Sequence, residues 1–117
     1  MKKNNVIILA LSLLMLAGCA ASNKELYYWG NYSSTLYAYT KEPSVKTMAA
    51  HHKELLNIIT KSTKQRKAVP PGIYAELGHM SLKKGETTQA NAYFQKELTL
   101  YPEASILINS ELQKNSK

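Results

Sequence analysis

Residues 71–104 read PGIYAELGHMSLKKGETTQANAYFQKELTLYPEA, and their spacing decides the fold. Tyr74, Leu77, Gly78 and Ser81, with Leu82 beside them, recur at steps of three and four, which is the period of one helix face. Pro71 suits a first helical turn, where a missing N–H costs nothing. Lys83-Lys84-Gly85 supplies a basic last turn and then a glycine, a stop signal for a helix over roughly 71–84. Thr87 or Thr88 is placed to cap a second helix. Its stripe is Ala90, Tyr93, Phe94, Leu98 and Tyr101, and Pro102 ends it. The stretch therefore predicts a helical hairpin.

Outward from the hairpin the pattern stays helical. Downstream, residues 103–113 predict a last helix burying Ala104, Leu107, Ile108 and Leu112, before a frayed tail at 114–117. Upstream, KQRKAVPPG (64–72) is a linker, because two prolines and a glycine stop any helix that enters it. Before it, Val45, Met48, Ala49, His52, Leu55, Leu56 and Ile59 form one apolar stripe of a helix over 44–63, with Pro43 or Ser44 at its start. The segment ELYYWGNYSSTLYAYT (25–40) carries Trp29, Tyr32, Ser33, Leu36 and Tyr39 at the same spacing. Tyr and Trp also favour strands, but no other segment offers a strand partner, so a helix over 26–40 is expected.

The hairpin resembles the tetratricopeptide repeat, a motif of 34 residues with an aromatic, Leu-Gly, a second aromatic, Gly, Ala, an aromatic and Pro at set offsets. Here those offsets hold Tyr74, Leu77-Gly78, Gly85, Ala90, Phe94 and Pro102, with Ser81 replacing the second aromatic. Glu97 falls where the repeat usually takes a small residue, which implies looser packing on the next helix. One repeat cannot bury its faces alone. The expected fold is thus all-α: a short tetratricopeptide-like helical-hairpin stack of four to five helices over 26–113, with 26–40 and 44–63 as the divergent partner pair.

The beginning of the chain has a different character. Two lysines precede Val6–Leu16, eleven residues in which only Ser12 is polar. A bilayer-spanning helix needs about 20 apolar residues, so this run reads as a signal peptide. Leu16-Ala17-Gly18-Cys19 resembles the bacterial lipobox. That resemblance implies cleavage after residue 18, a diacylglyceryl thioether on Cys19, and a lipidated tether over 19–25. Cys19 is the only cysteine, so no disulfide competes for it. Ala20 and Ala21 replace the Asp that retains lipoproteins at the inner membrane, which implies the periplasmic face of the outer membrane.

Without residues 1–18, 99 residues remain, enough for one small domain. Lys2 and Lys3 leave with the signal, so the 15 basic residues fall to 13 against 8 acidic ones, a balance of +5. All eight acids are Glu. Lys61, Lys64, Arg66 and Lys67 concentrate the surplus at a helix end, where cations complement the helix dipole. They are also the candidate contact for an anionic surface. Nucleic acid is not expected, since nothing beyond charge points to it. His51, His52 and His79 are the only histidines, and adjacent His51 and His52 diverge by about 100° on a helix. His52 lies on the apolar stripe and is expected in the core. No phosphate loop or nucleophile elbow occurs, so no catalytic residue, metal or small-molecule substrate is expected. Five of the eight tyrosines and the only Trp fall between 27 and 39. Core, protein interface and membrane interface all suit such residues, and Tyr28, Tyr37 and Tyr74 are the candidate partner contacts.

YYWGNYSSTLYAY, VPPGIYAELGHM and YFQKELTLYPEAS, together with the lipobox, resemble a family of short bacterial lipoproteins known as domain of unknown function 4810. The family carries no assigned activity. Its members are often encoded beside a curli-secretion-pore-like lipoprotein and another small lipoprotein. The resemblance therefore implies a non-enzymatic adaptor in an envelope complex, with other lipoproteins as partners and the lipid on Cys19 as its only non-protein group. The alternative is a basic module binding anionic lipid, lipopolysaccharide or peptidoglycan through Lys61–Lys67.

Overall fold

The computed structural model describes residues 2–5 and 24–114. Over residues 24–114 the chain is all-α. Its helices are α1 (Tyr32–Lys41), α2 (Val45–Lys64), α3 (Ile73–Lys83) and α4 (Thr87–Leu100), a short 3-10 turn (Pro102–Ala104), and α5 (Ser105–Lys114). α1 pairs with α2, and α3 pairs most closely with α4. The α2–α3 seam joins the two hairpins, and α5 returns onto α3 and α4.

Helix α2 starts on a capping box. The Ser44 hydroxyl accepts the Thr47 N–H at 3.1 Å, and the Thr47 hydroxyl accepts the Ser44 N–H at 3.0 Å. Its buried face is His51, Leu55, Ile58 and Ser62, turned away from the expected stripe. Val45 is exposed, Ile59 is half-buried, and His51 rather than His52 is enclosed. Two helices flank α2, and between them lie polar partners for His51, which apolar periodicity does not register. Burial, followed by repulsion from Lys84, lowers the pKa of the partly exposed His52.

At the C-terminus of α2 the Lys67 N–H donates to Ser62 O (2.9 Å) and the Arg66 N–H to Thr63 O (3.1 Å). This double bond pattern puts Arg66 in the left-handed region, φ 54°. Glycine usually takes that position, and a side chain there costs about 1–2 kcal/mol. α3 ends on the same pattern, with Gly85 at φ 77°.

Helix α3 has no cap of its own. Gly72 precedes it, and the carboxylate of Glu97, on α4, accepts the Gly72 N–H at 2.7 Å and the Ala75 N–H at 3.2 Å. Glu97 is only 2% exposed. The looser packing expected there is replaced by a cap supplied from the neighbouring helix, a role that needs a charged side chain with reach. Further along the same seam Gly78 lies flat against the Phe94 ring, and a Cβ at Gly78 would fall 2.6 Å from a ring carbon.

The core has two parts. Leu55, Ile58, Val69, Ile73, Leu77 and Met80 fill the α2–α3 seam, with Tyr28, Tyr32, Tyr74 and Tyr93 packed around them. Ala90, Phe94 and Ile108 join α4 to α5, flanked by Leu82, Leu98, Ala104 and Leu112. Leu107, expected in this second cluster, is 73% exposed. The 3-10 turn after Pro102 turns α5 so that Ile108 alone is fully enclosed. No threonine side chain caps α4, whose first residue follows Glu86.

The expected first helix, 26–40, is shorter than its periodicity suggests. Residues 24–31 form an irregular strap, and α1 begins only at Tyr32. Gly30 sits at φ 49° and breaks the helix there. The Asn31 N–H donates to the Glu54 carboxylate of α2 at 2.9 Å, so the strap is fixed by tertiary contacts instead of by its own helix.

Candidate functional site

Three places in the fold gather polar or exposed apolar groups beyond what helix packing requires. The first is a polar node where α1, α2 and α3 meet. The His51 ring has no exposed surface. Its Nε2 lies 2.6 Å from Glu76 Oε1, and its Nδ1 lies 2.8 Å from the Thr35 hydroxyl. The Tyr32 hydroxyl donates to Glu76 Oε2 at 3.0 Å. Tyr32 and Tyr39 cover the imidazole at 5.4 and 6.3 Å between ring centroids. Hydroxyl, imidazole and carboxylate in sequence are the ingredients of nucleophilic catalysis. Here the imidazole is enclosed and both its nitrogens bind groups of the fold, so the chain of bonds fastens three helices. Among the described residues no cluster of three or more His, Cys, Asp or Glu could hold a metal.

Burial, then the Glu76 charge and the hydrogen bond to it, push the Tyr32 phenol up to about 12 from its usual value near 10. The neutral phenol is the form the fold favours. Its contribution to stability is complete below pH 10 and is lost as pH rises through 12. Burial raises Tyr74 and Tyr101 too, so the loss is shared. Chemical denaturation across pH 10–12 is expected to show a falling midpoint, with a shallower fall in Tyr32→Phe. An equally steep fall in that variant would mean that Tyr32 ionises freely in the folded protein.

The second place is the strap, residues 24–31, which carries Tyr28. Tyr28 and Tyr74 pack against the same α2–α3 core. Tyr37 does not join them. It stands 63% exposed on α1, with the Lys41 ammonium 5.6 Å from its ring centre. Tyr74 also borders a shallow cleft of about 370 Å³ with Gln95, Lys96, Thr99 and Leu100, and Lys96 lies over its ring at 5.5 Å. Beside Tyr28, the Tyr27 hydroxyl meets that of Tyr101, which itself donates to Val69 O at 2.6 Å. The strap thereby joins the end of α4 to the α2–α3 linker. Sequence spacing gave no sign of this, because Tyr27 and Tyr101 belong to different periodic patterns.

The third place is the last helix. Ile106 is 80% and Leu107 73% exposed, side by side on α5. The basic run lies elsewhere, at the other end of the linker that carries Val69. Lys61, Lys64 and Arg66 are exposed and Lys67 is half-buried, and none forms an ion pair among the described residues. Cys19 and the lipobox lie outside the described residues, and no described helix is long and apolar enough to cross a membrane.

These elements define a small all-α domain of two packed helical hairpins and a terminal helix. The family described as Domain of unknown function (DUF4810) matches residues 26–110, and the chain belongs to that family. No curated protein and no solved structure matches it.

Proposed function

We propose that the protein is a lipid-anchored, non-enzymatic adaptor on the periplasmic face of the outer membrane, whose helical stack takes up an amphipathic helix of another envelope protein. The observation that carries this reading is the exposure of Ile106 and Leu107 on the final helix. A helical stack normally closes on a polar outer face, whereas this one ends on adjacent large apolar side chains. A tetratricopeptide-like reading is supported by Leu77, Gly78, Ala90 and Phe94, which are all buried at the offsets the repeat assigns to close helix contact. Such stacks continue by packing a further helix on this face, and a partner's amphipathic helix is the occupant the exposed Ile106 and Leu107 suit. The lipobox at Leu16–Cys19 supports anchoring through Cys19, which would raise the effective concentration of a weak contact. A curli-secretion-pore-like lipoprotein is the first candidate partner.

Mild crosslinking followed by purification from detergent-solubilised envelopes tests the proposal. The wild-type chain is expected to bring down another envelope protein. Ile106→Glu with Leu107→Glu is expected to reduce recovery at least tenfold while the unfolding temperature stays nearly constant, since exposed substitutions shift stability by only about 0.5 kcal/mol. Cys19→Ala reports the contribution of the anchor. Recovery of the wild type alone, or equal recovery by the double variant, would remove α5 as the docking surface.

A further inference from the structure

The strap places the chain's N-terminal side at one particular end of the stack. Tyr27 meets Tyr101, Tyr101 holds Val69 O, and Tyr28 packs on the cluster containing Ile58 and Val69. The basic run ends at Lys67, only two residues before Val69, a span of at most about 7 Å of chain. The strap, described from residue 24, and the four cations of Lys61–Lys67 therefore lie at the same end of the body.

We infer that Lys61, Lys64, Arg66 and Lys67 form a second membrane contact, taking phosphate headgroups of the leaflet that holds the acyl chains, and that this contact sets the orientation of the stack. The inference rests on the lipid-anchor reading. Three observations carry it. No acid interrupts the sequence from Lys61 to Lys67. At the opposite end the cations are interleaved with acids: Lys41 with Glu42, Lys84 with Glu86, and Lys114 paired to Glu111 at 2.9 Å. Arg66 holds a left-handed position that glycine would take without strain, so the turn keeps a guanidinium, the group best shaped for bidentate phosphate contact, at its apex. The two acyl chains of a diacylglyceryl group already hold a protein on a membrane but leave it free to tilt, and a polybasic patch adds an electrostatic contact with anionic headgroups. With the stack so oriented, α2 rises about 27 Å from Lys64 to Lys46.

The test uses the mature lipidated chain, purified in detergent and reconstituted into vesicles of phosphatidylcholine alone or phosphatidylcholine with phosphatidylglycerol. Acetylation of each lysine by an amine-reactive reagent is followed by mass spectrometry. On the anionic vesicles Lys64 and Lys67 are expected to react about fivefold more slowly than on the neutral ones, the factor for one lysine held near such a surface. Lys46 and Lys83 are expected to react equally on both. High salt should abolish the difference, and Arg66→Glu with Lys67→Glu should abolish it at Lys64. Identical rates at Lys64 on the two vesicles would overturn the inference while leaving the anchor intact. Failure to float with pure phosphatidylcholine would instead overturn the anchor, and salt-sensitive flotation on the anionic vesicles alone would still assign the contact to this loop.

Discussion

Glu97→Ala is expected to lower the unfolding free energy by about 3 kcal/mol, because it strips a helix N-terminus of the charged acceptor of two N–H groups. The Gly72 and Ala75 N–H groups would both lose the buried Glu97 carboxylate, and water can replace it only at Gly72, which is exposed, while Ala75 is half-buried. For a domain of this size the loss corresponds to roughly 12–24 °C in Tm. Glu97→Gln keeps one carbonyl oxygen but turns an amide N–H₂ toward a backbone donor, so its effect should lie between. Thermal unfolding by circular dichroism ranks the three proteins. An alanine variant within 0.5 kcal/mol of wild type would mean that α3 gets its N-terminal satisfaction elsewhere.

Gly78→Val is the second substitution with a large expected cost, also about 3 kcal/mol, through overpacking against a fixed ring. Three carbons of Phe94 would lie 2.6–2.9 Å from the new Cβ. Phe94 is only 2% exposed and has nowhere to retreat without opening the α4–α5 cluster. A sign reversal makes the argument sharp. In the wild type, Gly78→Ala should destabilise, because the clash exceeds the helix-propensity gain of about 1 kcal/mol. In a Phe94→Leu background the ring is absent, and the same Gly78→Ala change should become neutral or stabilising. A double-mutant cycle measures this coupling directly, and additivity would show that helix α3 can move away from α4 at little cost.

Both positions illustrate what the amino-acid sequence discloses. Gly78 and Phe94 were legible because a close helix crossing needs a small residue opposite a large one, at offsets a repeat pattern makes conspicuous. Leu77, Ala90 and Ile108 were legible for the same reason, as inward members of periodic stripes. Glu97 was legible only as an anomaly, since capping a helix from another helix leaves no local signature. An apolar stripe assigns burial by hydropathy and so points to His52, whereas the enclosed ring is His51, which bonds to Thr35 and Glu76. The aromatic strap reads as helix because Trp29, Tyr32, Ser33, Leu36 and Tyr39 satisfy the helical period, while a single glycine at positive φ overrides it. Exposure of Leu107 depended on the direction taken after Pro102, which spacing does not encode. The candidate surfaces follow the same division. The basic run is plain in one dimension, but its placement beside the strap exists only in three.

The contact between Tyr27 and Tyr101 spans nearly the whole domain along the chain. That contact needs α4 in place, whereas the Asn31–Glu54 bond and the packing of Tyr28 need only α2 and α3. Removing the Tyr101 hydroxyl would therefore release one end of the strap while the other end stays held at Glu54.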